Sequence, residues 1–336
     1  MNTLGIECRI CETRAAHRQY VVREMMFGTR EVFDYFLCSE CGCLQIAIIP
    51  TDLSKYYPDN YYSLQRNREP PRHKARSRPR AFLEQLRAGN ALFGKGYKLN
   101  KFATQFVDIP PEIHSAGSFL KACGVHSWHL TFLDVGCGSR SWWLSDLQAL
   151  GFRKLVGVDP NIEQDIDDDG IQIHKAQIQD IDGQFDVITL HHSLEHIPDQ
   201  IDTLQAIKSR LKPRGYCLIR IPLVSSLVWE TYGTDWVELD APRHLYLHSL
   251  SSIAILGQKV GLELVRTIWD SDAFEFFGSE QYRRNIPLMA ENSFCRDPSQ
   301  SDFTYKEMAA FSALAAKANQ EGRGGRGCFI FRHSDL

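Results

Sequence analysis

The chain has 336 residues, of which 43% are hydrophobic, and its formal net charge is −3. This length and composition predict one large core with room for a small extra module, and the charge argues against a nucleic-acid partner. No apolar run is long enough to span a bilayer, and the N-terminus lacks the apolar segment of a signal peptide. We therefore expect a cytoplasmic protein.

Two Cys-x-x-Cys pairs stand near the N-terminus: Cys8 and Cys11, then Cys38 and Cys41. Each pair can present two thiolates to one tetrahedral Zn²⁺, and so short a segment would draw its folding energy from the metal. A redox role would need a thioredoxin-like context, which is absent. We predict a zinc-ribbon-like module over residues 1–63. Cys43 either competes for this site or is simply buried, and we expect His17 to be an exposed loop residue.

Aromatic and then basic residues follow the ribbon. Four tyrosines fall within seven residues: Tyr56, Tyr57, Tyr61 and Tyr62. We interpret them as packing between the ribbon and the next domain, with stacking on a sugar or base as the alternative. We predict that residues 64–94 form a basic, proline-rich linker and a helix. Such a charge run is usually solvated, although it can also recruit an anionic acceptor.

We predict that residues 131–139 form a buried strand followed by a ligand-binding turn. An apolar run there contains Asp134 and is followed by Gly136 and Gly138. The two glycines allow a sharp turn and a close approach of the backbone to a ligand. Apolar residues at helical spacing follow, and Gly151 is placed to end that helix. Strand, glycine turn and helix together form half of a nucleotide-binding unit.

A second short strand ends in Asp159, 21 positions after Gly138. A βαβ unit places its ribose-binding acid at about this distance. An NAD fingerprint would need glycine or alanine at position 141, where the chain has Ser141. The residues therefore favour a nucleotide-like cofactor other than NAD.

The whole pattern resembles the class I S-adenosylmethionine-dependent methyltransferases, whose first motif usually reads Asp-x-Gly-x-Gly-x-Gly. The chain matches it from Asp134 onward and departs from it at Arg140, the third glycine position. The resemblance implies S-adenosyl-L-methionine as cofactor, with Asp134, Gly136 and Gly138 around its methionine portion and Asp159 on the ribose hydroxyls. It also implies that Gln177 contacts the adenine and that His191 belongs to the donor site.

Strands and helices alternate beyond Asp159. Further strands are predicted at 171–174, 185–190, 216–221, 262–268 and 328–331, and helices at 201–211 and 250–260. Lys212-Pro213-Arg214-Gly215 predicts a turn and is similar to the Lys-Pro-Gly-Gly turn of these methyltransferases. The fold class is therefore α/β, a Rossmann-like seven-stranded doubly wound sheet. We assign residues 95–336 to the methyltransferase domain, with a helical insertion at about 270–326.

Two histidine-containing loops follow the fourth and fifth strands, where open α/β sheets bind ligands. His192-Ser193-Leu194-Glu195-His196-Ile197 resembles the His-x-Leu-Glu-His-Ile segment of many small-molecule methyltransferases. Trp236 followed by Pro242-Arg243-His244 resembles a subset that also carries an N-terminal cysteine-rich ribbon and often modifies sugars or surface polysaccharides. The resemblance therefore implies a small-molecule or sugar acceptor.

Methyl transfer to a hydroxyl needs alignment of the reactants and removal of one proton. His196 and His244 are the candidate general bases, with His192 behind them. We expect Arg243 to lower the pKa of the histidine beside it and Glu195 to raise the pKa of its own neighbour. O-methylation of a small molecule or sugar precursor is thus the predicted function.

Two other functions stay open at this point. One is a non-catalytic scaffold that keeps the methyltransferase fold and uses the ribbon to bind a partner. The other is a nucleic-acid methyltransferase guided by the ribbon and the basic linker. The absence of an Asn-Pro-Pro-Tyr-like segment after the fourth strand disfavours the latter, as does the net charge.

Overall fold

A computed structural model describes residues 5–58, 77–94 and 96–334. The predicted linker from residue 64 to 76 lies outside these residues, and so do Tyr61 and Tyr62. The strands are β1 (Ile6–Glu7), β2 (Arg14–Ala15), β3 (Arg18–Arg23), β4 (Val32–Leu37), β5 (Leu44–Ile46), β6 (Thr131–Val135), β7 (Lys154–Val158), β8 (Ile166–Asp168), β9 (Ile171–His174), β10 (Phe185–His191), β11 (Leu211–Pro222), β12 (Tyr246–Leu247), β13 (Leu262–Trp269) and β14 (Arg326–His333). The α-helices are α1 (Arg78–Phe93), α2 (Tyr97–Ala103), α3 (Glu112–Ala122), α4 (Trp142–Leu150), α5 (Gln200–Arg210), α6 (Leu227–Tyr232), α7 (Leu250–Lys259), α8 (Ala273–Arg283) and α9 (Tyr305–Gln320).

Eight of these strands form a mostly parallel sheet in the order β13-β14-β11-β10-β6-β7-β9-β8. Strand β6 lies between β10 and β7, with Leu133 opposite both Ile188 and Val156 in parallel register. All three residues belong to apolar runs, as expected for parallel strands that are covered on both faces. The predicted doubly wound α/β sheet is confirmed, and each predicted strand is present.

The sheet differs from the sequence prediction in two details. An eighth strand, β8, pairs antiparallel with β9; its sequence, Ile-Asp-Asp, lacks the apolar pattern that marks a strand. The predicted turn at 212–215 is wrong, because these residues are extended within β11. Lys212 is anchored there, since its Nζ donates to Asp186 Oδ2 at 2.7 Å.

Helix α4 begins and ends where its sequence dictates. The Ser141 side chain caps its N-terminus by accepting from the Leu144 N–H, and Gly151 ends it in the left-handed conformation, with φ of 119°. Trp143, Leu144 and Leu147 are buried along one face. The helix therefore begins directly after the glycine turn that follows β6.

The N-terminal strands form a second sheet, in the order β12-β5-β4-β3. Strands β3, β4 and β5 come from the predicted cysteine module, whereas β12 comes from the segment after His244. Tyr246 in β12 pairs antiparallel with Gln45 in β5. A strand from far along the chain thus completes this sheet, which the sequence did not predict.

The chain packs as two compact units. Among the described residues, the first comprises those within 1–57, 194–201 and 220–329, and the second those within 58–193, 202–219 and 330–336. The domain bounds predicted from the sequence stay a prediction. Where a helical insertion was expected, α8 and α9 lie between β13 and β14. Within the described residues, no helix is both long and apolar enough to cross a membrane.

Candidate active site

The glycine turn after β6, in the second unit, has a backbone that only glycine adopts easily. Gly136 and Gly138 both have positive φ, 72° and 65°. The Gly136 N–H donates to the Val158 carbonyl at 2.8 Å. A Cβ on Gly136 would lie 2.5 Å from the Cβ of Ser193, far inside van der Waals contact. Glycine is therefore needed at position 136 both for its φ and for its packing against Ser193, and the resulting backbone turn, the glycine cradle, lies where the donor site was predicted.

Asp134, in the strand that leads into the glycine cradle, accepts two hydrogen bonds from neighbouring elements. Its Oδ1 accepts from the Thr189 hydroxyl at 2.7 Å and its Oδ2 from the Ser141 hydroxyl at 2.6 Å. Burial raises the pKa of Asp134 to about 6, although these two hydrogen bonds oppose the rise. The carboxyl group thus joins β6, β10 and the start of α4. Sequence reasoning used Ser141 only to argue against NAD and missed this contact; its place at a helix start was the available signal.

Asp159, directly after the neighbouring strand β7, hydrogen-bonds to the backbone of the glycine cradle. Its Oδ2 accepts from the Gly138 N–H and its Oδ1 from the Asn161 N–H, both at 2.8 Å. A carboxylate offers about four acceptor positions, so two hydrogen bonds leave acceptor capacity for ribose hydroxyls. The predicted ribose contact is compatible with this arrangement.

Arg140 does not obstruct the turn. Its side chain is exposed, and its backbone is not among those with positive φ. The third glycine of the family motif is therefore not needed for the backbone of this chain.

Two further predicted donor residues occupy different surroundings. The His191 ring, at the end of β10, packs among the rings of Phe119, Trp142 and Trp143, with centroid distances of 6.2, 5.1 and 4.9 Å. Gln177 is exposed, and its backbone N–H donates to Asp180 Oδ2 at 3.3 Å. A role in donor binding stays a prediction for both.

His196 and His244 lie together in the first unit, with ring centroids 4.7 Å apart. The Nδ1 of His196 is 2.9 Å from the Arg243 carbonyl, and the Nδ1 of His244 is 2.7 Å from the Glu238 carbonyl. Because a carbonyl only accepts, the Nδ1 of His244 carries a proton and its Nε2 keeps a lone pair. The Nδ1 of His196 also lies 3.1 Å from the Tyr57 hydroxyl, which can donate as well as accept. His192, the reserve candidate, belongs to the second unit.

Burial dominates the electrostatics of the histidine pair. It lowers the pKa of His196 to about 3, with repulsion from His244 adding to the effect. Burial also lowers the pKa of His244, which Asp240 partly opposes and Arg243 reinforces. Both rings are therefore neutral at physiological pH.

The expectation that Glu195 raises the pKa of His196 is wrong. Glu195 is fully buried, and burial raises its own pKa to about 8. A carboxyl group that is largely protonated near pH 7 cannot favour a charged neighbour. The site thus holds a neutral acid beside two neutral imidazoles.

Donor atoms of Glu195, His196 and His244 all lie within 4.8 Å of one another. Glu195 Oε1 is 4.0 Å from His244 Nε2. Two such atoms on one metal ion would lie about 3.0–3.4 Å apart, given bonds of about 2.1 Å. The spacing therefore favours acid–base chemistry over metal coordination.

Arg243 holds the loop that carries His244. Its fully buried guanidinium donates to both carboxylate oxygens of Asp240, to Glu24 Oε1 and to the Tyr56 carbonyl. Burial alone would raise the pKa of Asp240, but the charge and hydrogen bonds of Arg243, together with the two histidines, more than offset it, and the net pKa is lowered. The arginine and the aspartate thus form a largely buried ion pair beside the histidines.

The four predicted zinc ligands come together. Their sulfur atoms all lie within 4.8 Å of one another, with 3.6 Å between Cys8 and Cys41 and 3.5 Å between Cys11 and Cys38. Tetrahedral zinc with bonds of about 2.3 Å would place its sulfurs about 3.8 Å apart. The thiolates therefore fit a closed, structural zinc site.

Cys43 and His17 lie near this cluster but are not among its four predicted zinc ligands. Cys43 is fully buried 4.0 Å from His248 Nδ1, and burial raises the pKa of its thiol well above the usual value. His17 is not the exposed loop residue that was expected. Its ring is buried and stacks on Phe36 with a centroid distance of 5.2 Å, and Ser39 lies at its Nδ1.

The mostly parallel sheet and the glycine turn, braced by acids from two neighbouring strands, define a class I S-adenosylmethionine-dependent methyltransferase. A family model described as “Methyltransferase domain” matches residues 69–267, more than half of the chain. The chain belongs to this family of methyltransferases.

Among curated proteins, the chain is similar to ubiquinone biosynthesis O-methyltransferases. It is 33% identical to that of Haemophilus ducreyi over 99 residues, which cover 25% of this chain and 41% of the relative. It is 27% identical to that of Bordetella avium over 154 residues, covering 39% and 61% respectively. The chain therefore spans less than two thirds of the length of these relatives.

Solved structures similar to the chain include other methyltransferase-like proteins. One is an S-adenosylmethionine-dependent methyltransferase from Mesorhizobium loti, with 15% identity, coverage of 65% of this chain and 98% of the other, and a TM-score of 0.41. Another is the cyclopropane synthase MmaA2 from Mycobacterium tuberculosis, with 17% identity, coverage of 65% and 83%, and a TM-score of 0.41.

Proposed function

We propose that this methyltransferase acts on a phenolic hydroxyl of a small molecule, with His244 or His196 as the general base. The observation that supports it is the state of the His244 ring. Its Nδ1–H is held on the Glu238 carbonyl, which leaves a neutral Nε2 to accept a proton. A neutral base of this kind is what O-methylation at physiological pH requires.

The donor, when bound in the glycine cradle, supplies a sulfonium methyl group that is open to in-line attack. The histidine in the proposed role would accept the proton of the acceptor hydroxyl on its Nε2. Asp134, Gly136, Gly138 and Asp159 are the proposed donor-binding residues, and their task is to align the methyl group.

The lowered pKa values argue for a phenol over an alcohol. A histidine whose pKa lies below the usual value of about 6.5 is a weak base and therefore needs an acidic hydroxyl. A phenol, whose pKa is about 10, meets this need better than a less acidic sugar hydroxyl. The curated relatives are named as O-methyltransferases of ubiquinone biosynthesis, which supports the same choice. His244 is the stronger candidate of the two, because the pKa of His196 is lowered to about 3.

The test offers labelled donor to the purified protein with a simple catechol or with a nucleotide sugar. Methylation of the catechol oxygen is expected, and methylation of the sugar alone would contradict the phenol assignment. His244→Ala should then lower turnover about 10²- to 10⁴-fold, with an unchanged donor Kd by calorimetry. His126→Ala, at an exposed histidine, is the control. Full turnover in both His196→Ala and His244→Ala would rule out a histidine base.

The same assay tests the pH dependence. The base must be unprotonated to act, and its lowered pKa moves the acid limb of kcat/KM below pH 6.5. An acid limb at or above pH 6.5 would contradict the buried, neutral histidine. The cytoplasmic location predicted from the sequence stays a prediction.

A further inference from the structure

The loop that carries His244 is built into the sheet of the cysteine module. Strand β12 begins two residues after His244 and pairs with β5, so that Tyr246 lies opposite Gln45. The Leu245 carbonyl accepts from the Ile46 N–H at 3.0 Å. Main-chain hydrogen bonds to β5 therefore begin at the residue directly after the histidine.

The cysteine cluster contacts the same strand pair. Gln45 in β5 donates from its Nε2 to Cys8 Sγ at 2.9 Å, and its Oε1 accepts from the Arg9 N–H at 3.1 Å. The Ser249 hydroxyl, just after β12, donates to the Cys41 carbonyl at 2.5 Å. The first Cys-x-x-Cys pair thus contacts β5, and the second contacts the segment just after β12.

Two buried side chains of the module form hydrogen bonds with Arg243 and His244 themselves. The Tyr35 hydroxyl, in β4, donates to the His244 carbonyl at 2.8 Å. Glu24 Oε1, after β3, accepts from Arg243 Nη2 at 2.9 Å. The carbonyl of Arg243 in turn holds Nδ1 of His196. Tyr35 and Glu24 are both fully buried.

We propose that the N-terminal cysteine module positions the two histidines, with Tyr35 and Glu24 as positioning residues. The inference rests on the proposed function, since it assigns no chemistry to the module itself. Zinc on the four cysteines would supply only a cross-link that holds Gln45 and β5 in place. Loss of that cross-link should therefore change the surroundings of His244 as well as the module.

The most specific test is Tyr35→Phe, which keeps the ring and removes only the hydrogen bond to the His244 carbonyl. Tyr20→Phe is the matched control, because Tyr20 is the direct cross-strand partner of Tyr35, and its ring packs on Trp229. The whole protein, labelled with ¹⁵N-histidine, is compared by NMR, with His244→Ala and His196→Ala assigning the two signals. Kinetics with a catechol and donor affinity by calorimetry complete the set.

Tyr35→Phe should shift the His244 signal and lower kcat roughly 3- to 10-fold, as expected for the loss of one hydrogen bond, with donor Kd and zinc content unchanged. Tyr20→Phe should do neither. Glu24→Gln should shift the His196 signal, and it serves as the second variant if Tyr35→Phe misfolds. Removing the metal with a chelator should shift both signals.

Unchanged histidine signals in Tyr35→Phe, Glu24→Gln and the metal-free protein would overturn the proposal. The NMR measurement stands apart from turnover. If neither histidine is the base, both alanine variants keep full activity, and the signals still report whether the module positions the rings. Failure of the positioning role and failure of the proposed chemistry are thus distinguished.

Discussion

The buried carboxyl group of Glu195 makes the stability of the protein depend on pH near neutrality. Burial, followed by repulsion from Glu238, raises its pKa from 4.5 to about 8. Between these values the unfolded chain releases a proton that the folded chain keeps. The stabilising contribution is therefore fully present below pH 4.5 and is lost as the pH rises to 8, at about 1.4 kcal/mol per pH unit.

Glu195→Gln keeps the size of the side chain and removes its titration. We expect the free energy of unfolding of the variant, relative to the parent, to increase by about 3 kcal/mol between pH 5 and pH 7.5. Urea denaturation of both proteins across this range measures the difference, with the exposed Glu291→Gln as control. Parallel stability curves for Glu195→Gln and the parent would mean that the folded carboxyl group ionises normally, and would refute the reasoning.

Three further predictions concern the zinc and donor sites. Cys38→Ser should lose most of a metal content close to one zinc per chain, by metal analysis; full retention would contradict the four-cysteine site. Asp159→Ala should weaken donor binding about 10- to 100-fold by calorimetry, because charge-assisted hydrogen bonds of about 1.5–3 kcal/mol are lost; an unchanged Kd would exclude the ribose role. Gly136→Ala combines backbone strain with a steric clash and should destabilise the fold by about 1–3 kcal/mol. Gly170→Ala, with φ of 92° and open space around it, isolates the strain alone, so equal losses of Tm would argue against the clash.

Local patterns in the sequence predicted much of the second unit. An apolar run followed by closely spaced glycines needs only neighbouring residues to be recognised, and the strand at Thr131–Val135 and helix α4 follow from such runs. The bracing of Asp134 was not predictable in the same way. Thr189, which donates to it, lies 55 residues away, and no local periodicity shows which hydroxyl faces which acid.

The first unit was harder to predict because its contacts join distant parts of the chain. Tyr35 and His244 are 209 residues apart, and strand β12 has only two residues, too few for a pattern. The electrostatic prediction for His196 failed for a related reason. Sequence adjacency shows that Glu195 is a neighbour, but only the fold shows that its carboxyl group is buried and protonated.

The late strand β12 also has a consequence for synthesis on the ribosome. Strands β3, β4 and β5 leave the ribosome about 200 residues before their fourth partner, a separation close to that of the hydrogen bond from Tyr35 to His244. Until then the outer edge of β5 has unpaired N–H and C=O groups, which invite association with other nascent chains. An N-terminal fragment that stops before Tyr246 should therefore aggregate more readily than the full chain, even with its cysteines loaded with metal.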